Sequence, residues 1–279
     1  MSQALDELND EHNQQMDSVV SQFSRDLQRS VDLAIARTTS ELFRSFVVEE
    51  GVILRTPGNM RVIRSIERVL LRELKAAGYE STIDHFVNTF TVEIPWFQRV
   101  LHVLSADIGE EFTLKLNKLD FAVLSAQQAL TVDQLQSVID AGAASAKQQA
   151  LFAVAGLKVS ELTAIIASRL DTTVSNADAI ADTALPGFYR TIADRAYQTI
   201  ETDLRPGFEA RYKYYGPLDK LNRIFCARMM RLAKQRVTYN RTELTKLDAG
   251  KGQPAPVAIF CGGYRCRHSW VITGISRIE

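Results

Sequence analysis

Cysteine is scarce in this chain. Cys226, Cys261 and Cys266 are the only three in 279 residues, and an odd number that small excludes a secreted disulfide scaffold. A surplus of one charge is missing too. The 33 Lys+Arg balance 33 Asp+Glu, which argues against a dedicated nucleic-acid coat and favours association over colloidal repulsion. No run of 18 apolar residues occurs, so no membrane span is expected. The first twenty residues are polar and acidic, without the apolar stretch of a signal peptide, so the expected setting is a reducing cytoplasm. There is no phosphate-binding glycine loop, dinucleotide fingerprint or fixed-period repeat.

What is present is helical periodicity. Leu5, Leu8, Val19, Val20, Phe23, Leu27, Val31, Ile35, Leu42 and Phe46 recur at steps of three, four and seven, with no proline or glycine before Gly51. That stretch reads as a surface helix packed on its own domain, or as a docking arm or coiled-coil strand. Its first fifteen residues are polar enough to be disordered or to order only against a partner. Val47–Leu54 is a short strand or a helix end. A second helix is expected over about 60–77, with a basic face of Arg61, Arg64, Arg68, Arg72 and Lys75 that is either solvated or a DNA contact. Ser81 or Thr82 is expected to cap the next helix, and Pro95 to break the chain. His85 and His102 read as packed or surface histidines rather than ligands.

Further helices are expected over about 111–130, from a Thr131 cap onward, from Ser160 to about Leu170, over 176–184, and from Phe188 to Leu204. Gly156 and Pro186-Gly187 serve as breaks. The Ala-rich stretch 141–155 suits close helix approach. Pro206-Gly207 is then the best domain boundary. The fold class is mainly α: a long helical N-terminal region over 1–206, as arm and helical bundle, followed by a small α+β module over 207–279.

Within the module, Ala210–Tyr215 reads as a strand with alternating aromatics. Gly216-Pro217 turns the chain, and Asp219 is placed to cap a helix from about Lys220 and to pair with Arg223 one turn on. Thr242 and Glu243 open a short helix. Val257–Cys261 reads as a strand, Gly262-Gly263 as a tight turn, and Trp270–Ile275 as a final strand. Cys266-x-His268 with the distant Cys226 offers three zinc ligands, with Cys261 as a possible fourth. The spacing is not that of a zinc knuckle, so buried thiols beside a hydrogen-bonded His268, or a disulfide, remain alternatives. A cysteine–histidine nucleophile pair is the enzymatic reading. Alternation along an extended chain puts Cys266 and His268 on one face, and the three side chains are expected to converge.

Gly216, Pro217, Asp219, Arg223, Phe225 and Cys226, then Thr242 through Leu244, then Gly262, Gly263, Tyr264, Cys266, Arg267, His268 and Trp270 stand in a fixed order. Together, over about residues 207–272, they resemble the C-terminal domain of phage minor head proteins, the Mu F-like head morphogenesis family. The resemblance implies a virion structural protein at or near the portal vertex, made in the bacterial host cytoplasm and acting in head assembly and DNA packaging or ejection. It implies portal or other head and neck proteins as partners, with self-association and contact with genomic DNA, and no catalytic residues. It also implies a glycine where Cys261 stands, which would leave three ligands. The competing readings are a neck or head-to-tail adaptor and the cysteine–histidine enzyme.

Overall fold

A computed structural model describes residues 3–153, 157–220, 222–250, 252–254, 256–263 and 266–278, and the side chains of all of these except 107 and 108. In chain order, α1 (Gln3–Ser45) is followed by a hairpin of β1 (Val48–Glu49) and β2 (Val52–Ile53). Then come α2 (Pro57–Arg64), α3 (Ile66–Ala76), α4 (Tyr79–Asn88), one 3-10 turn and α5 (Glu93–Ile108). The long α6 (Lys118–Ala153) and α7 (Val159–Asp203) lead to β3 (Phe208–Tyr215), α8 (Ile224–Lys234), α9 (Arg241–Thr245), α10 (Val257–Phe260) and β4 (Ser269–Arg277). The chain is mainly α, with a small two-stranded module at its end.

The helices are longer than their local punctuation suggests. Thr131 does not cap a helix but lies buried inside α6. The buried series Leu124, Thr131, Leu135, Ile139, Ala143 keeps helical spacing straight through it. Helix α6 starts later than expected, at Lys118, because Asn117 and Asp120 cap it reciprocally. The Asn117 side chain accepts from the Leu119 and Asp120 amides, and the Asp120 carboxylate accepts from the Asn117 amide. Pro186 does not break α7. An interior proline costs roughly 3 kcal/mol, and burial of Leu185, Phe188, Tyr189 and Ile192 around it outweighs that cost. The expected Ser160 start and Leu170 end likewise lie within or at the edge of one continuous α7; Gly156 lies outside the described residues. Ser65 separates α2 from α3 where one helix was expected. Ser81 and Thr82 fall inside α4, bonding back to the Gly78 carbonyl, and Pro95 sits in the first turn of α5, where its missing N–H costs little.

The chain divides into two compact units. One comprises residues 20–87 and 130–180. In it α1 buries Phe23, Leu27, Val31 and Ala34, α3 buries Leu70 and Leu74, and the middle of α6 buries Ala143, Ala146 and Ala150. The hairpin turns at Glu50-Gly51, both at positive φ, and its second strand is bonded to residues 157–159. Asn59 ties the hairpin ends down: its side chain accepts from the Val47 amide and donates to the Val47 and Leu54 carbonyls.

The other unit comprises residues 1–19, 88–129 and 181–279. The Pro206-Gly207 turn lies inside it, joining α7 to β3. Strands β3 and β4 pair antiparallel from Phe208↔Arg277 to Tyr215↔Ser269, with a register shift between Arg211 and Tyr212. Ala210, Tyr212 and Tyr214 point inward in alternation. The first fifteen residues, expected to be disordered or to order only against a partner, are helical from Gln3; with Met16 just beyond them they bury Leu5, Asn9 and His12. Two of the four are polar, so the stripe has no hydrophobic signal. His12 Nε2 lies 2.5 Å from Glu93 Oε2, with side-chain exposures of 4% and 7%. Its ring stacks 4.2 Å from Trp96 and 4.6 Å from Tyr189, centroid to centroid.

Two stability outcomes follow. A Cβ at Gly142 would sit 2.0 Å from Thr173 Oγ1. Alanine gains about 1 kcal/mol of helix propensity over glycine, but overpacking costs roughly 1–3 kcal/mol. Gly142→Ala should therefore lower the midpoint of thermal unfolding, and adding Thr173→Ala should recover part of the loss. His12→Leu leaves the Glu93 carboxylate buried and uncompensated. It should cost on the order of 3–5 kcal/mol in denaturant titration, most of it recovered by His12→Leu/Glu93→Leu.

Candidate metal centre

Three elements of the terminal module meet at one point. Helix α8 carries Phe225, Cys226, Met229 and Met230 on its buried face, so Cys226 enters from the first turn. Strand β3 sends in Tyr214, and the extended stretch before β4 sends in Cys266 and His268. The sequence expects this convergence, and the structure brings the three together: their ligand atoms all lie within 4.8 Å of one another. Cys226 Sγ is 3.8 Å from Cys266 Sγ, and Cys266 Sγ is 3.6 Å from His268 Nδ1. The sulfurs are much farther apart than the roughly 2 Å of a disulfide, and all three cysteines are free. Cys261, the possible fourth ligand, is buried but is not part of this group.

The surroundings fix each group. His268 Nε2 lies 2.7 Å from the Pro217 carbonyl, and its ring stacks on Tyr214 at 5.1 Å with an 8° interplanar angle. The Tyr214 hydroxyl is 3.4 Å from Cys226 Sγ and 3.5 Å from Cys266 Sγ. The Gly262 amide donates to Cys266 Sγ at 3.2 Å. Arg190 of α7 donates to the Phe260 and Cys266 carbonyls. The Trp270 indole donates to the Val257 carbonyl. Two glycines are required sterically. A Cβ at Gly262 would stand 2.2 Å from Cys226 Sγ, and one at Gly216 would stand 2.7 Å from His268 Cδ2.

The sulfurs differ electrostatically. Cys266 is held well below the ordinary thiol value, chiefly by the hydrogen bond from Cys226, with help from His268, Tyr214 and the nearby Arg190. Cys226 is held above it, first because its proton is directed at Cys266 and then by burial. Burial pushes Cys261 up to about 12. The three side chains line a cleft of about 310 Å³ that Asp182, Arg223 and Arg267 also line.

Other sequence expectations for the module shift. Asp219 does not cap α8, which starts at Ile224; its carboxylate pairs with Arg267, while Arg223 donates to the Gly262 carbonyl. Val257–Phe260 forms a single helical turn, not a strand, with Pro256 at its N-cap. Asn240, not Thr242, caps α9, in a capping box with Glu243. His85 and His102 are exposed. Tyr264 lies outside the described residues. Sequence reasoning passed over Tyr214, although it shares the inward face with Tyr212, and Arg190, whose helical context gave no signal.

No family model, curated protein or solved structure matches this chain.

One outcome tests the steric reading. Gly262→Ala should force Cys226 and Cys266 apart and speed their labelling by a thiol reagent under native conditions tenfold or more, while Gly187→Ala, which meets nothing within 4 Å and has no positive φ, should leave it unchanged.

Proposed function

We propose that this chain is a structural protein of a phage virion, a minor head protein associated with the portal vertex that acts in head assembly and in DNA packaging or ejection. One observation carries the reading. The residues that give the terminal stretch its likeness to minor head proteins are the residues that hold its centre together. Gly216 makes room for His268, Pro217 accepts its hydrogen bond, Asp219 pairs with Arg267, Arg223 holds the Gly262 carbonyl, and Cys226 meets Cys266. A chance string of short motifs has no reason to close on itself in this way. The residues that carry the likeness thus make a set of mutual contacts in this chain.

Other features are compatible with assembly work. Large apolar side chains stand exposed at Leu119 and Phe121 in the first turn of α6 and at Phe152 near its end. Such groups serve contacts with further copies or with portal and neck proteins. Of the basic face on α2 and α3, Arg72 pairs with Glu41 and Glu73, and Lys75 with Glu80. Any contact with genomic DNA is then left to the exposed Arg61, Arg64 and Arg68. No helix among the described residues is long and apolar enough to cross a membrane.

The test is the particle itself. Quantitative mass spectrometry of purified virions should find the protein at a few copies relative to portal, and portal co-expressed with it should retain it on an affinity column. Its absence from virions together with no retention by portal would overturn the proposal. A copy number equal to that of portal, in a closed ring, would replace it with the neck-adaptor reading.

A further inference from the structure

We infer that Cys226, Cys266 and His268 bind a zinc ion whose fourth position opens to the adjoining cleft. The first argument is dimensional. Zinc holds sulfur at about 2.3 Å and imidazole nitrogen at about 2.0–2.1 Å in a tetrahedron. Two such sulfurs then stand about 3.8 Å apart, and a sulfur and a nitrogen about 3.6 Å apart. The observed separations are 3.8 Å for Cys226 Sγ to Cys266 Sγ and 3.6 Å for Cys266 Sγ to His268 Nδ1. The three side chains thus already span two edges of that tetrahedron.

The second argument is the direction of the imidazole. A backbone carbonyl only accepts, so the nitrogen 2.7 Å from Pro217 O carries the proton. In the neutral ring, the form that can ligate a metal, Nδ1 is then the bare nitrogen, and it faces the sulfurs. A carbonyl that orients the far nitrogen of a ligating histidine is the usual outer support of a zinc site. The Gly262 amide and the Tyr214 hydroxyl, aimed at the sulfurs, supply the same support to thiolates. Two thiols and an imidazole form a soft donor set, which suits zinc and not magnesium or calcium.

The third argument is the opening. All three side chains line the cleft, with Arg223 and Arg267 on its walls. With Cys261 outside the cluster, the remaining position goes to a water or a small anion drawn from that cleft. A metal at this point would also join α8 to the approach of β4. None of this depends on the virion reading; the zinc site and the particle role can fail separately.

The full-length chain, purified without chelators or a histidine tag, should carry one zinc per molecule by plasma mass spectrometry. Exchange for cobalt should give the visible d–d bands and near-ultraviolet thiolate charge transfer of a tetrahedral site. Cys226→Ser, Cys266→Ser and His268→Gln should each lower the zinc content tenfold or more, and Cys261→Ser should leave it at one. Should the ligand variants fail to fold, the cobalt spectrum of the unaltered chain decides alone. A metal-free protein whose cobalt complex lacks thiolate charge transfer would overturn the site, as would full zinc content in folded Cys226→Ser.

Discussion

The hydrogen bond from His268 Nε2 to the Pro217 carbonyl decides what the centre of the terminal module can do. In the neutral ring it fixes which nitrogen is bare, and so turns the lone pair of Nδ1 toward the sulfurs. Around that choice the rest is arranged. Tyr214 holds the ring plane, Gly216 clears the space beside it, and Arg190 donates to the Cys266 carbonyl. With the proton on Nδ1 instead, it would point at the sulfurs, and the Pro217 carbonyl would face a bare nitrogen.

The helical part of the chain follows a different rule. Its boundaries are set by burial more than by local punctuation. Pro186 and Thr131 would each end a helix read in isolation, yet both sit inside one because the apolar period runs on past them. The true helix start at Lys118 has no apolar marker and depends on two short polar side chains exchanging hydrogen bonds. Asp120 also receives Arg195 at 2.7 Å, so one carboxylate serves the cap and a cross-helix ion pair.

This separates what could be read in the sequence from what could not. The mainly helical class, β3 with its inward aromatics, and the meeting of Cys226, Cys266 and His268 follow from periodicity of 3.6 or 2, and those signals are carried by many residues at once. The helical turn at Val257–Phe260 was hidden because β-branched and aromatic side chains favour a strand locally, while the Trp270 indole and the Pro256 geometry hold a turn. Arg190 and the His12–Glu93 pair were hidden for a further reason. A buried polar side chain looks like a surface one until its partner, far away in sequence, is known. Cys261 shows the converse: proximity in sequence to Cys266 does not bring its thiol into the cluster.

The half-polar stripe at the start of α1 bears on mis-docking. An all-leucine stripe slides by one helical turn with small loss, since each leucine meets another apolar wall. Here a slip of four residues would bring Leu8 or Met16, in place of His12, against the Glu93 carboxylate. That leaves a buried charge facing methyl and methylene groups, among the costliest juxtapositions a protein interior can hold. The first turns of α1 therefore have one seating, and an apolar chain of equal length would not be a substitute for them.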